Sequence, residues 1–228
     1  MRIASFAALL SSVVIAASAC SSPTSPASPD AGPVVTDGGG CGVGFLGDPS
    51  KDMVLEVRAL HVDGTDQPLA DHGDLALVFP PQGGRVAFVG VRATNVDPCG
   101  LQLTGALRDL ATQQVRVDAR TVNLIPSGDG WGTSAPPMQT ISAARDAYSN
   151  VPLCPNQWAS TDVFDHEFQL EVTVKDRLKR TSTTTIKVTP RCSEPGHEVE
   201  CRCICKVNYV LGEACGAEDS GIADAGTE

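Results

Sequence analysis

Residues 168–190 read FQLEVTVKDRLKRTSTTTIKVTP. Phe168, Leu170, Val172 and Val174 occupy alternate positions, with Gln169, Glu171 and Thr173 between them. That is the period of a strand with one buried face, because successive side chains leave opposite sides of a pleated backbone. From Thr181 to Thr189 β-branched residues dominate, and charged Arg177 and Lys179 lie between the two arms. The stretch predicts an antiparallel hairpin turning at Arg177–Lys179.

The same period recurs upstream. LQLTGAL aligns Leu101, Leu103, Gly105 and Leu107, while RVAFVGVRATNV, residues 85–96, is apolar on both faces and reads as a central strand. QVRVDARTVNLI sets Val115, Val117 and Ala119 against Gln114, Arg116, Asp118 and Arg120, then shifts phase to Val122 and Leu124. The slip predicts a bulge or kink near Arg120 and Thr121. Further strands are expected over residues 53–62, 74–79, 139–143 and 181–189, with no long helical period and no internal repeat. Short strands punctuated by Pro, Gly and Asp predict an all-β fold, a two-sheet sandwich over residues 45–191. Over residues 54–190 the pattern resembles immunoglobulin-like or fibronectin-type domains of bacterial surface proteins, which implies a fold and no particular activity.

The chain opens MRIASFAALLSSVVIAASAC: one basic residue, an apolar run, then small residues. Residues 1–19 are therefore expected to be a secretory signal peptide. ASAC resembles the bacterial lipobox, with Ala17 where that family usually has Leu. The resemblance implies lipidation of Cys20, which becomes the N-terminus, and Ser21 after it implies sorting to the outer membrane. Setting Cys20 aside leaves eight of the nine cysteines, an even number suited to complete pairing. Residues 20–44 are rich in Ser, Pro and Gly and read as a tether, and residues 216–228 as a disordered acidic tail. A net charge of −10 and a pI near 4.8 exclude a cationic nucleic-acid footprint. The expected partners are the membrane, through the N-terminal lipid, and an envelope protein or a glycan.

Catalytic patterns are missing: there is no G-x-S-x-G, H-E-x-x-H or G-x-x-x-x-G-K. His166 and Glu167 are adjacent, so on a strand they point to opposite faces and make a poor acid–base pair. Asp63, Asp66, Asp71 and Asp74 offer oxygens for calcium, but turn chemistry accounts for them better. Trp131 and Trp158 are placed in loops, as stacking platforms for a sugar, anchors for a protein, or plugs for the ends of the sandwich.

The remaining candidates are the disulfide cysteines Cys41, Cys99, Cys154, Cys192, Cys201, Cys203, Cys205 and Cys215. Read as extended, 201–205 aims three thiols at one face, about 6.6 Å apart, and so at distant partners. Cys192, Cys215 and Cys41 are the natural partners, and Cys99 is paired with Cys154. CICKVNYVLGEAC resembles the terminal half of an epidermal-growth-factor-like module. His197 with Cys201, Cys203 and Cys205 is the rival zinc set, disfavoured by C-x-C spacing and by an oxidising compartment. Residues 192–215 thus read as a disulfide-rich extension, with no metal and no cofactor. The functional expectation is a non-enzymatic envelope lipoprotein serving protein interaction or structure, or else a carbohydrate-binding surface module.

Overall fold

The computed structural model describes residues 41–138, 140–144 and 146–216. The signal segment, Cys20, the tether as far as residue 40 and the tail from residue 217 lie outside the described residues. The strands are β1 (Val54–Leu60), β2 (Asp66–Pro68), β3 (Gly73–Ala76), β4 (Arg85–Thr94), β5 (Leu101–Arg108), β6 (Val115–Val122), β7 (Ile125–Gly128), β8 (Trp131–Thr133), β9 (Ser149–Cys154), β10 (Phe168–Lys175) and β11 (Thr181–Arg191). Two short helices accompany them, α1 (Ile141–Ala144) and α2 (Glu198–Cys205). The fold is all-β in class, built from two sheets.

One sheet runs β3-β11-β10-β5-β6, with β3 parallel to β11 and the other pairs antiparallel. The hairpin at its centre pairs Phe168 with Val188 and Lys175 with Thr181. Its turn is held by Asp176, whose Oδ1 accepts the Arg180 amide at 2.9 Å. Lys179 takes the left-handed conformation there (φ 65°). The other sheet runs β2-β1-β4-β8-β7, and β9 also pairs with β4. β4 is long enough, at ten residues, to hold β9 along Arg85–Val89 and β8 along Arg92–Thr94.

The alternating apolar residues meet between the sheets. Leu101, Leu103, Leu107, Phe168, Leu170, Val172 and Val174 from one layer share a buried cluster with Val57, Ala87, Val89, Val91, Val151 and Leu153 from the other. Gly105 sets how closely β5 approaches β9. A Cβ there would stand 2.8 Å from Ser149 Oγ and 3.1 Å from Val151 Cγ2. Bare backbone instead lets the Gly105 amide donate to Ser149 Oγ at 3.0 Å, and that hydroxyl donates to the Asp118 carbonyl at 2.8 Å.

Four expectations are corrected. β6 presents Val115, Val117 and Ala119 outward, and turns Arg116, Asp118 and Arg120 toward β9 along with buried Val122. Its register against β5 is unbroken from Val115 to Val122, so the bulge is absent and one parity holds throughout. Residues 140–144 form a helical turn, not a strand, because Thr140 O accepts the amides of Ala143 and Ala144 at 3.0 Å each; residue 139 is outside the described set. Residues 77–79 leave β3, and Val78 bridges Val86 instead. Residues 198–205 are helical, so the extended C-x-C of the growth-factor-like resemblance is not adopted. Cys201, Ile204 and Cys205 lie at helical spacing and are buried on one face, with Glu198 and Glu200 in the first turn and Arg202 in the last, as the helix dipole favours.

Candidate functional site

Disulfides shape the end of the molecule where the chemistry concentrates. Cys154 pairs with Cys205, Cys192 with Cys201, Cys203 with Cys215 and Cys41 with Cys99. The Cys99–Cys154 pairing is therefore overturned, and β5 supplies the reason. Cys99 precedes its first residue, whereas Asp109, just past its last, accepts the amide of Ser160 in the segment that follows Cys154. The eight residues of β5 span roughly 26 Å, well beyond the reach of a disulfide. Of the set His197, Cys201, Cys203 and Cys205, the three cysteines belong to three different bridges and His197 stacks on Phe79. The sulfurs of Cys192, Cys201 and Cys205 do lie within 4.8 Å of one another, but all three are disulfide sulfurs and not the thiolates that bind zinc.

A buried arginine locks this cap to the sheets. Arg85 opens β4 and is fully buried. Its guanidinium bonds to Glu194 and Glu200 and reaches the His197 carbonyl at 3.3 Å. It also lies 5.1 Å from the centroid of the Phe79 ring, which stacks at 5.7 Å on His197. Loop 155–165 secures the far end of α2: the Asn156 amide donates to Ile204 O and the Val163 amide to Cys205 O, both at 2.9 Å. Those are carbonyls that a helix C-terminus leaves without partners. Asp165 joins Arg191 at 2.7 Å and Arg202 at 2.9 Å, and the hydrogen bond from Arg191 is the main cause of its depressed pKa. Sequence reasoning missed Arg85; a lone charge at the head of an apolar strand, with glutamates flanking the distant cysteine run, was the available signal.

Two clefts border these elements. The lateral cleft, of about 240 Å³, opens between β6 and the β4–β9 edge, lined by Val86, Phe88, Ile141, Pro152, Arg120 and Asn150. The end cleft, of about 350 Å³, lies where the β5–β6 turn and loop 155–165 meet the extension, and Gln114, Gln157, Ser160, Asn208, Tyr209 and Trp158 line it. Beneath the end cleft sits Asp109. Burial pushes its carboxyl upward, but hydrogen bonds from Ser160, Ala111 and Thr112 outweigh that and hold its pKa at about 2.

The tryptophans are more deeply committed than their sequence context suggests. Trp158 is buried, tilted against Phe168 at 5.6 Å, with Arg116 5.9 Å from its ring centroid and its Nε1 donating to Leu153 O at 2.9 Å. Trp131 is on β8 and not in a loop, and Arg92 covers its ring at 4.4 Å. They sit on different sides of the fold and form no common platform.

The four aspartates are separate as well. Asp63 caps its own turn through Thr65, Asp71 accepts the Lys187 amide, and Asp74 pairs with Arg191. Asp66 holds Arg58 at 2.8 Å and accepts the Tyr148 hydroxyl at 3.0 Å, and its burial raises its pKa against both partners. His166 bonds to the Phe164 carbonyl, while Glu167 pairs with Lys187 and His72. No protein-family model and no curated protein matches this chain.

Proposed function

We propose that the chain is an exported, lipid-anchored envelope protein that presents a rigid β-sandwich for non-enzymatic binding or structural contact at the outer membrane. The observation that carries this reading is the pairing of all eight cysteines downstream of Cys20 in four bridges. Such a framework suits an oxidising compartment and leaves Cys20 as the one cysteine with no place in it. The order β5-β10-β11, facing β1-β4-β9, supports an immunoglobulin-like reading, in which strands C, F and G face A, B and E. Among the described residues the buried charged groups Arg85 and Asp66 are tied into pairs that hold the fold, which favours binding over acid–base catalysis.

The intact mass of the mature protein tests the anchor. A triacyl increment on Cys20, with loss of membrane fractionation in Cys20→Ala, is expected; an unmodified Cys20 overturns it. Proximity labelling on intact cells then identifies the neighbours, and labelling confined to the cytoplasm would refute export.

The end cleft favours one second reading, carbohydrate binding. Among the described residues its lining carries amide and hydroxyl groups beside Tyr209 and Trp158 and no charged residue, a chemistry suited to neutral sugars. A glycan array with no hits removes that reading.

A further inference from the structure

Edge strand β6 turns three charged residues to the side on which its neighbour β5 has Leu103, Gly105 and Leu107. Two of the three are accounted for by the fold. Arg116 faces the Trp158 ring, and Asp118 Oδ2 accepts both the Asn150 amide and Arg120 Nε at 2.8 Å, fastening β6 to β9. The third, Arg120, is held only through Nε. Its Nη1 and Nη2 make no hydrogen bond among the described residues, and its side chain, 42% exposed, borders the lateral cleft. The rest of that cleft is largely apolar, with Val86, Phe88, Ile141, Pro80 and Pro152 in its walls.

We propose that the lateral cleft binds an apolar group that ends in a carboxylate, with Arg120 receiving the carboxylate. Asp118 fixes the plane of the guanidinium through Nε and leaves the two-pronged end open. This fork matches the two oxygens of a carboxylate, and little side-chain entropy remains to be lost on binding. The Arg120–Asp118 pair is locally neutral and the chain is strongly acidic, which favours a single negative charge over a polyanion. The size argues in the same direction. A cleft of about 240 Å³ is smaller than the roughly 300–1,000 Å³ of drug-sized sites, so one residue-sized group fits. Two sources supply that chemistry: the C-terminal residue of a peptide, and a free aromatic or short aliphatic acid.

The test is calorimetric titration of the intact protein with a peptide ending in Phe, the same peptide amidated, and 3-phenylpropionate. Binding of a carboxylate form, weakened about tenfold or more by amidation and by Arg120→Gln, is the expected result. Tighter binding of the peptide assigns the site to chain termini, and equal or tighter binding of the free acid assigns it to small acids; either supports the proposal. An unchanged melting temperature shows that Arg120→Gln still folds. Ser142→Trp, which narrows the cleft at its rim without touching Arg120, should also abolish binding. No binding by either carboxylate, equal binding of the amide, or full binding by Arg120→Gln overturns the proposal.

Discussion

The two sheets and the C-terminal cap are held by different physics. Between the sheets, Leu103, Leu170, Val172 and Val174 are wholly buried, and the burial of such apolar residues is what holds the layers together. The cap is an eight-residue helix with Cys201, Ile204 and Cys205 as its buried residues, too short to persist alone in water. It is fastened instead by bridges to the ends of β9 and β11, by the Arg85 clamp and by loop amides on its last carbonyls. A segment that cannot bury enough apolar surface must borrow order from the body it caps.

Replacing both Cys154 and Cys205 by Ser should disturb this division most. That bridge closes a separation of 51 residues, for which loop-closure entropy gives a loss of about 4 kcal/mol. The Cys203–Cys215 bridge, with a separation of 12, should contribute about 3 kcal/mol. Urea unfolding of the two double variants measures the difference, and equal losses would break the picture of a cap tied to the body chiefly through β9. Next is Arg85→Ala, expected to cost about 3 kcal/mol by leaving two carboxylates facing a buried cavity. Arg85→Met restores volume without charge. If Met equals wild type, the ionic clamp is dispensable and packing alone seats the cap.

Acid sharpens the contrast. The folded-state pKa of Asp109, about 2, lies below its ordinary value of 3.8, so its contribution is complete above pH 3.8 and is lost as the pH falls toward 2. Asp165, which bridges to the cap, is also depressed and acts in the same direction. Asp66 is raised by burial and has the opposite sign: what it contributes is greatest in acid and declines as the pH rises through 3.8. Asp109→Asn should therefore lower stability at neutral pH and flatten the acid limb between pH 4 and 2, as read from urea midpoints across pH. An unchanged limb would place the acid-sensitive step elsewhere, at the cap.

The body was more legible in the sequence than the cap. A period of two is unambiguous where one face is buried, so β5, β10 and β11 could be read directly. β6 misled because it is an edge strand. There the usual inference from apolar to inward fails, since Asp118 fastens to β9 and Val115 and Val117 are left outward. CRCIC misled for a related reason. Positions 201 and 205 are two strand repeats apart, but also i and i+4 on a helix, and the spacing alone does not separate these cases. The decisive partners, Arg85 and Cys154, are 109 or more and 51 residues distant, beyond any local pattern. The lateral cleft was hidden by the same β6 inversion that creates it.

The smallest expected effect tests whether exposure explains the weight given to Arg85. Arg92 and Glu56 form the same kind of ion pair at 3.0 Å, but with side chains 29% and 46% exposed. Water already solvates both charges, so Glu56→Gln should change stability by no more than about 1 kcal/mol, and less in high salt. Arg92 would keep its place over Trp131, because cation–π contact does not depend on the glutamate. Tryptophan fluorescence should therefore stay as in wild type while the urea midpoint barely moves. A loss near that of Arg85→Ala would mean that burial is not what separates the two arginines, and that β1 and β4 depend on their surface charges as the cap depends on its buried one.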